Sequence, residues 1–103
     1  MLDATLSALA DPTRRAILGR LAQGEARVTE LARPFPISLN SVSKHIRMLE
    51  RAGLVTRRIE GREHVLAIRP GSLDAAARWI EDQRRLWAWR LDRLDEALKE
   101  DTP

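Results

Sequence analysis

The stretch Ser38-Leu39-Asn40-Ser41-Val42-Ser43-Lys44-His45-Ile46-Arg47-Met48-Leu49-Glu50-Arg51-Ala52-Gly53 carries two stripes at helical spacing. Leu39, Val42, Ile46 and Leu49 recur every three or four residues and predict one buried face. Asn40, Lys44, Arg47 and Arg51 recur at the same spacing on the opposite face, which is wholly polar or cationic. Ser38 is the expected N-cap and Gly53 the expected stop. After Gly53 the period changes to two. Residues 54–59 and 63–68 read as strands, and Glu60-Gly61 between them supplies a tight turn.

Working outward, Leu2, Leu6 and Leu9 predict a short first helix. Asp11-Pro12 reads as the start of a second, with Asp as N-cap and Pro at the first helical position. Ile17, Leu18 and Leu21 give that helix its apolar face, and Gln23-Gly24 ends it. Val28, Leu31 and Ala32 form a short helical turn that Pro34-Phe35-Pro36 stops. Beyond the strands, Pro70-Gly71 closes the hairpin and Ser72 caps a final helix reaching Lys99. The expected fold is mostly α with a small β-hairpin, in the order α-α-α-α-β-β-α.

The 103 residues make one domain, expected to span 1–103. With 44% hydrophobic residues the chain can form a core. The absence of cysteine excludes a disulfide framework, a thiolate metal site and a Cys nucleophile. No apolar run is long enough to span a bilayer, so no membrane partner is expected. Met1-Leu2-Asp3-Ala4 lacks the basic start of a secretory signal, and the expected location is cytoplasmic. The net charge of +3 is unevenly spread: residues 1–37 sum to +1, 38–69 to +4 and 70–103 to −2. A polyanion would meet the chain at its middle third.

Two short helices, a Pro-containing turn, a helix with a cationic face and a basic hairpin are the parts of a winged helix-turn-helix. A recognition helix must bury one face and offer the other to the major groove, with donors and acceptors for base edges and cations for phosphate. A wing must be a narrow hairpin with cations near its tip. Arg57, Arg58 and Arg62 flank Glu60-Gly61 in that way.

The run Leu9-Ala10-Asp11-Pro12-Thr13-Arg14-Arg15-Ala16-Ile17-Leu18 resembles the opening signature of the arsenic-repressor (ArsR/SmtB) family of bacterial transcription regulators. Ser41-Val42-Ser43-Lys44-His45-Ile46, followed by Leu49-Glu50-Arg51-Ala52-Gly53-Leu54-Val55, resembles that family's recognition helix and the entry to its wing. The resemblance covers residues 5–98. It implies a homodimer on an inverted-repeat DNA operator, commonly a repressor. Metal-sensing members carry Cys in the short helix before the recognition helix, where this chain reads Glu30-Leu31-Ala32-Arg33. Others place His and carboxylates on the last helix, which here has no His. Neither metal site carries over, no cofactor is expected, and the effector is left as an unknown small molecule or protein.

The expected DNA-binding residues are Ser38, Asn40, Ser41, Ser43, Lys44, His45 and Arg47 on the recognition segment and Arg57, Arg58 and Arg62 on the wing. Asn40 suits adenine through paired bonds, and Arg47 suits either guanine or phosphate. Arg14 and Arg15 are either backbone clamps or surface charges. The series Leu73, Ala77, Ile80, Trp87, Leu91, Leu94 and Leu98 follows near-heptad spacing. Simple core packing and a cofactor pocket are alternative readings; the preferred one is a dimer seam of Ile80, Trp87, Leu91, Leu94 and Leu98, joined by Leu2, Leu6 and Leu9 of the first helix, so that the fold is dimeric through its terminal helices. Trp89 lies off that stripe. The competing reading is a winged-helix interaction module that binds protein without reading DNA. An enzyme is disfavoured: the chain has no Tyr and no Cys, and no carboxylate pair sits near a histidine.

Overall fold

The computed structural model describes residues 2–100. Five helices and three strands follow one another: α1 (Leu2–Leu9), α2 (Pro12–Leu21), β1 (Ala26–Arg27), α3 (Val28–Ala32), α4 (Leu39–Arg51), β2 (Val55–Glu60), β3 (Glu63–Ile68) and α5 (Asp74–Glu100). Packing divides them into a unit ending at Leu73 and a unit beginning at Asp74.

Local chemistry sets the boundaries. The Asp11 carboxylate accepts the Arg14 backbone N–H at 3.0 Å and Pro12 opens α2, as the dipeptide predicts. α4 ends in a Schellman motif: the Leu54 N–H donates to the Leu49 carbonyl at 3.0 Å and the Gly53 N–H to the Glu50 carbonyl at 3.0 Å. Gly53 adopts φ 76°, a left-handed conformation that favours glycine. The chain therefore turns sharply from helix into strand and sends Leu54 into the core.

That core holds Ile17 of α2, Leu31 of α3, Val42, Ile46 and Leu49 of α4, Leu54, and Leu66 of β3, all with almost no exposed surface. Each buried aliphatic side chain contributes about 1.5–3 kcal/mol, against about 1 kcal/mol for a cap. The three buried residues of α4 thus set which side of the helix faces out.

Two expectations change. The sheet has three antiparallel strands in the order β1-β3-β2, so the hairpin has an extra partner. β1 is two residues long, pairing Ala26 with Leu66 and Arg27 with Val65, and is too short to show a period of its own. Ser72 does not cap α5, which begins two residues later; its hydroxyl is 3.5 Å from the Leu54 carbonyl.

Candidate nucleic-acid interface

The N-terminus of α4 closes on itself. Ser38 Oγ accepts the Ser41 N–H at 3.1 Å and donates its hydrogen to Ser41 Oγ at 3.0 Å. Both hydroxyls are engaged in ordering the first turn. Behind them Val42, Ile46 and Leu49 are fully buried. Leu39, expected on that buried face, is 50% exposed, because it sits in the first turn beyond the edge of the core. On the opposite face Asn40, Lys44, Arg47 and Arg51 are exposed and make no hydrogen bond or ion pair among the described residues. Ser43 is half-buried beside them.

His45 is half-buried, and its ring faces α2. Its Nδ1 lies 3.2 Å from Arg14 Nη1 and 3.7 Å from Asp11 Oδ2. Asp11 is held below the usual carboxylate range, first by the Arg14 backbone N–H and then by the charges of His45 and Arg14.

Arg14 is neither of the alternatives read from the sequence. It is buried, and its guanidinium donates to the Ala8 carbonyl (2.7 Å), the Ser7 carbonyl (3.2 Å) and Met48 Sδ (3.3 Å) as well as meeting His45. Arg15 donates to the Leu9 carbonyl at 2.8 Å. Two arginines thus donate to the carbonyls at the end of α1, where a cation is also favoured by the helix dipole. One of the two continues to α4.

The wing has two chemically different faces. Val55, Arg57, Leu66 and His64 share one by register, and Thr56, Arg58, Val65 and Glu63 share the other. On the first, Arg57 makes a forked pair with Glu50 of α4, Nη2 to Oε1 at 2.7 Å and Nε to Oε2 at 3.2 Å. Its Nη1 lies 2.9 Å from His64 Nδ1. On the second, Arg58 donates twice to Glu25, at 3.1 Å each, and once to Glu60 at 2.8 Å. Its pKa rises, with the Glu25 hydrogen bond as first cause, and that of Glu25 falls in return. Arg27 pairs with Glu63 at 2.7 Å. Arg62 stands apart. It follows Gly61, whose φ of 61° makes the tight turn, and it is exposed without a partner among the described residues. A cavity of about 350 Å³ separates helix from wing, lined by Leu39 and Ser43 on one side and Arg57, Arg62 and His64 on the other.

The site residues are therefore carried by α4 and the hairpin, with Arg58 on the opposite face of the hairpin from Arg57 and His45 turned toward α2, and they are in two states. Asn40, Lys44, Arg47 and Arg62 are unpartnered, whereas Ser38, Ser41, His45, Arg57 and Arg58 already have protein partners. The sequence reading missed Glu50 and Glu25 as partners. Strand alternation held the signal for the first, since Arg57 falls on the same face as buried Val55. Among the described residues no three His, Cys, Asp or Glu side chains gather as a metal site would.

α5, taken alone, exposes Ile80, Trp87, Leu91, Leu94 and Leu98 along one stripe. Trp79 and Leu86 are exposed on a second line about a quarter-turn away. Trp89 is also exposed, with the Arg93 guanidinium 5.2 Å above its ring.

Residues 9–58 match the family model described as a helix-turn-helix domain. The chain is 46% identical over 85 residues to the HTH-type transcriptional regulator Rv2034 of Mycobacterium tuberculosis, covering 82% of this chain and 77% of that one. It superposes on the crystal structure of an ArsR family transcriptional regulator, RHA00566, with a TM-score of 0.78 and 45% identity, over 84% of this chain and 96% of the other. A solution structure of the homodimeric winged helix-turn-helix DNA-binding domain Mb0332 of Mycobacterium bovis gives a TM-score of 0.63 and 31% identity, over 98% and 84% of the two chains. With a buried-faced helix, an unpaired polar stripe and a basic wing in this order, the chain belongs to the ArsR family of winged helix-turn-helix transcriptional regulators.

Proposed function

We propose that this DNA-binding regulator acts as a homodimeric repressor on an inverted-repeat operator, without a metal as its signal. The observation that carries the reading is the stripe of Asn40, Lys44 and Arg47, exposed and unpartnered on a helix whose other face is fully buried. These side chains and Ser43 enter the major groove. Ser38 and Ser41 lie at the helix N-terminus, where a phosphate is favoured. His45 supports the helix from behind, and Arg62 at the tip of the wing reaches the neighbouring DNA backbone, while Arg57 and Arg58 stay paired with Glu50 and Glu25. Two-fold pairing through Ile80, Trp87, Leu91, Leu94 and Leu98, with Leu2, Leu6 and Leu9, sets the two helices about 34–36 Å apart, one turn of DNA. A dimer seated across a promoter blocks access to it, which is repression. The lack of any Cys in the chain and of any His on α5 supports a signal other than a metal.

Footprinting on genomic fragments tests the reading. The expected result is two protected half-sites about one helical turn apart. No protected site, together with a stable complex with another protein, would overturn it in favour of an interaction module. Trp87→Ala is expected to shift sedimentation toward monomer and to abolish the footprint. An intact dimer would remove Trp87 from the seam.

A further inference from the structure

Arg57 looks from the sequence like one more cation for phosphate, and its surroundings say otherwise. Its side chain is 25% exposed, and that of Glu50 is 28% exposed. Both guanidinium edges are occupied, one by the Glu50 fork and the other by His64 Nδ1. The three partners come from α4, β2 and β3. The unit joins the last turn of the recognition helix to both strands of the wing. We propose that Arg57 is a positioning residue: held between Glu50 and His64, it fixes the angle of the wing to the recognition helix, and it does not itself neutralise a phosphate. The inference rests on the DNA-binding reading above and adds how that site keeps its shape.

The physics favours the arrangement. A forked Arg–carboxylate pair carries geometry as well as attraction, and its planar donors fit two oxygens at once. A half-buried pair is screened less by salt than an exposed one. Glu50 otherwise has no favourable place here. An unpaired carboxylate beside Arg47 and a phosphate line would repel the ligand. Its pairing with Arg57 cancels the two charges locally, so this part of the wing offers shape and no net cation. The Schellman turn at Gly53 sets the backbone corner between helix and strand, and the Glu50–Arg57 fork braces that corner one turn further out.

The discriminating variant is Glu50→Gln. It removes a negative charge from the DNA-facing side, so simple electrostatics predicts tighter binding. Positioning predicts weaker binding, by about tenfold, with loss of the protection given by the wing and retention of the major-groove protection. Arg57→Lys separates the roles again. It keeps the charge but not the fork, so it should behave like Glu50→Gln, whereas a phosphate contact would be largely preserved. Arg57→Gln alone, and Glu50→Gln combined with Arg57→Gln, should bind no worse than Glu50→Gln, and the salt slope should not fall in any of the four variants. Full-length dimeric protein is used throughout, with thermal unfolding and sedimentation to confirm that each variant is folded and paired. Wild-type or tighter binding in Glu50→Gln, or a salt slope reduced by about one in Arg57→Gln, would overturn the inference while leaving the operator reading intact. A wild-type protein without a footprint would overturn the operator reading instead.

Discussion

The recognition helix and the wing carry similar numbers of arginine and lysine, and they hold them differently. On α4, Lys44, Arg47 and Arg51 project from a buried-faced helix and form no ion pair among the described residues. On the hairpin, Arg57 and Arg58 are each forked onto a glutamate, and only Arg62 at the turn is unpaired. A side chain that is already paired must give up its partner before it can meet a phosphate, so equal formal charges are not equally available. The comparison predicts that affinity and its salt dependence come mainly from the helix, and that the wing contributes shape, with one cation at its tip.

The largest expected effect lies outside both regions. Arg14→Ala removes a buried guanidinium that ties the end of α1 to His45 and Met48 on α4, and takes from the Ala8 carbonyl its buried side-chain donor. A loss of about 3 kcal/mol in unfolding free energy is expected in denaturant titration. A loss below about 1 kcal/mol would mean that water replaces those bonds. Lys44→Ala tests the helix side, with an expected loss of about tenfold in operator affinity and a salt slope smaller by about one. Unchanged binding across several salt concentrations would break the assignment. The wing is tested by a pair. Arg62→Ala should cost about threefold, equally on operator and random DNA, while Arg58→Ala should change affinity by less than about twofold. If Arg58→Ala matched Lys44→Ala in salt slope, paired and unpaired arginines would be equivalent and the comparison would fail. The smallest effect is on acid stability. Arg58 holds Glu25 below its ordinary value of 4.5. The stabilisation is complete above that value and is lost as pH falls through the lowered one. In Glu25→Gln a small part of the decline in Tm on the acid side of pH 4.5 should disappear.

Much of this was legible beforehand because it depends on short-range patterning. Asp11-Pro12, Ser38 and Gly53 each have a local chemical reason to sit at a boundary, and all three do so. Val42, Ile46 and Leu49 face the core as their spacing requires. Leu39 shares that spacing but occupies the first turn, where it is only half covered, and periodicity alone carries no information about the edge of a core. Strand β1 escaped because two residues hold no period. The candidate site was legible as a set of residue types on two elements, but not in its pairing. Glu25 and Arg58 are 33 positions apart, and Arg14 and His45 are 31 apart. Their meeting depends on tertiary geometry that no local pattern encodes.

The strand order β1-β3-β2 also bears on how the chain avoids its own copies. β3 lies between two neighbours, so β2 is left at the margin with unpaired backbone groups along one side. A long, flat, apolar strand in that place would be a template on which another molecule could add a strand and begin to aggregate. Here the strand is six residues long and is interrupted in its middle by two adjacent arginines. Their charge and bulk, and the carboxylates clasped to them, make a poor landing strip for a second hairpin even where Ile59 is exposed. The same side chains that shape the wing therefore help keep it single in a crowded cell.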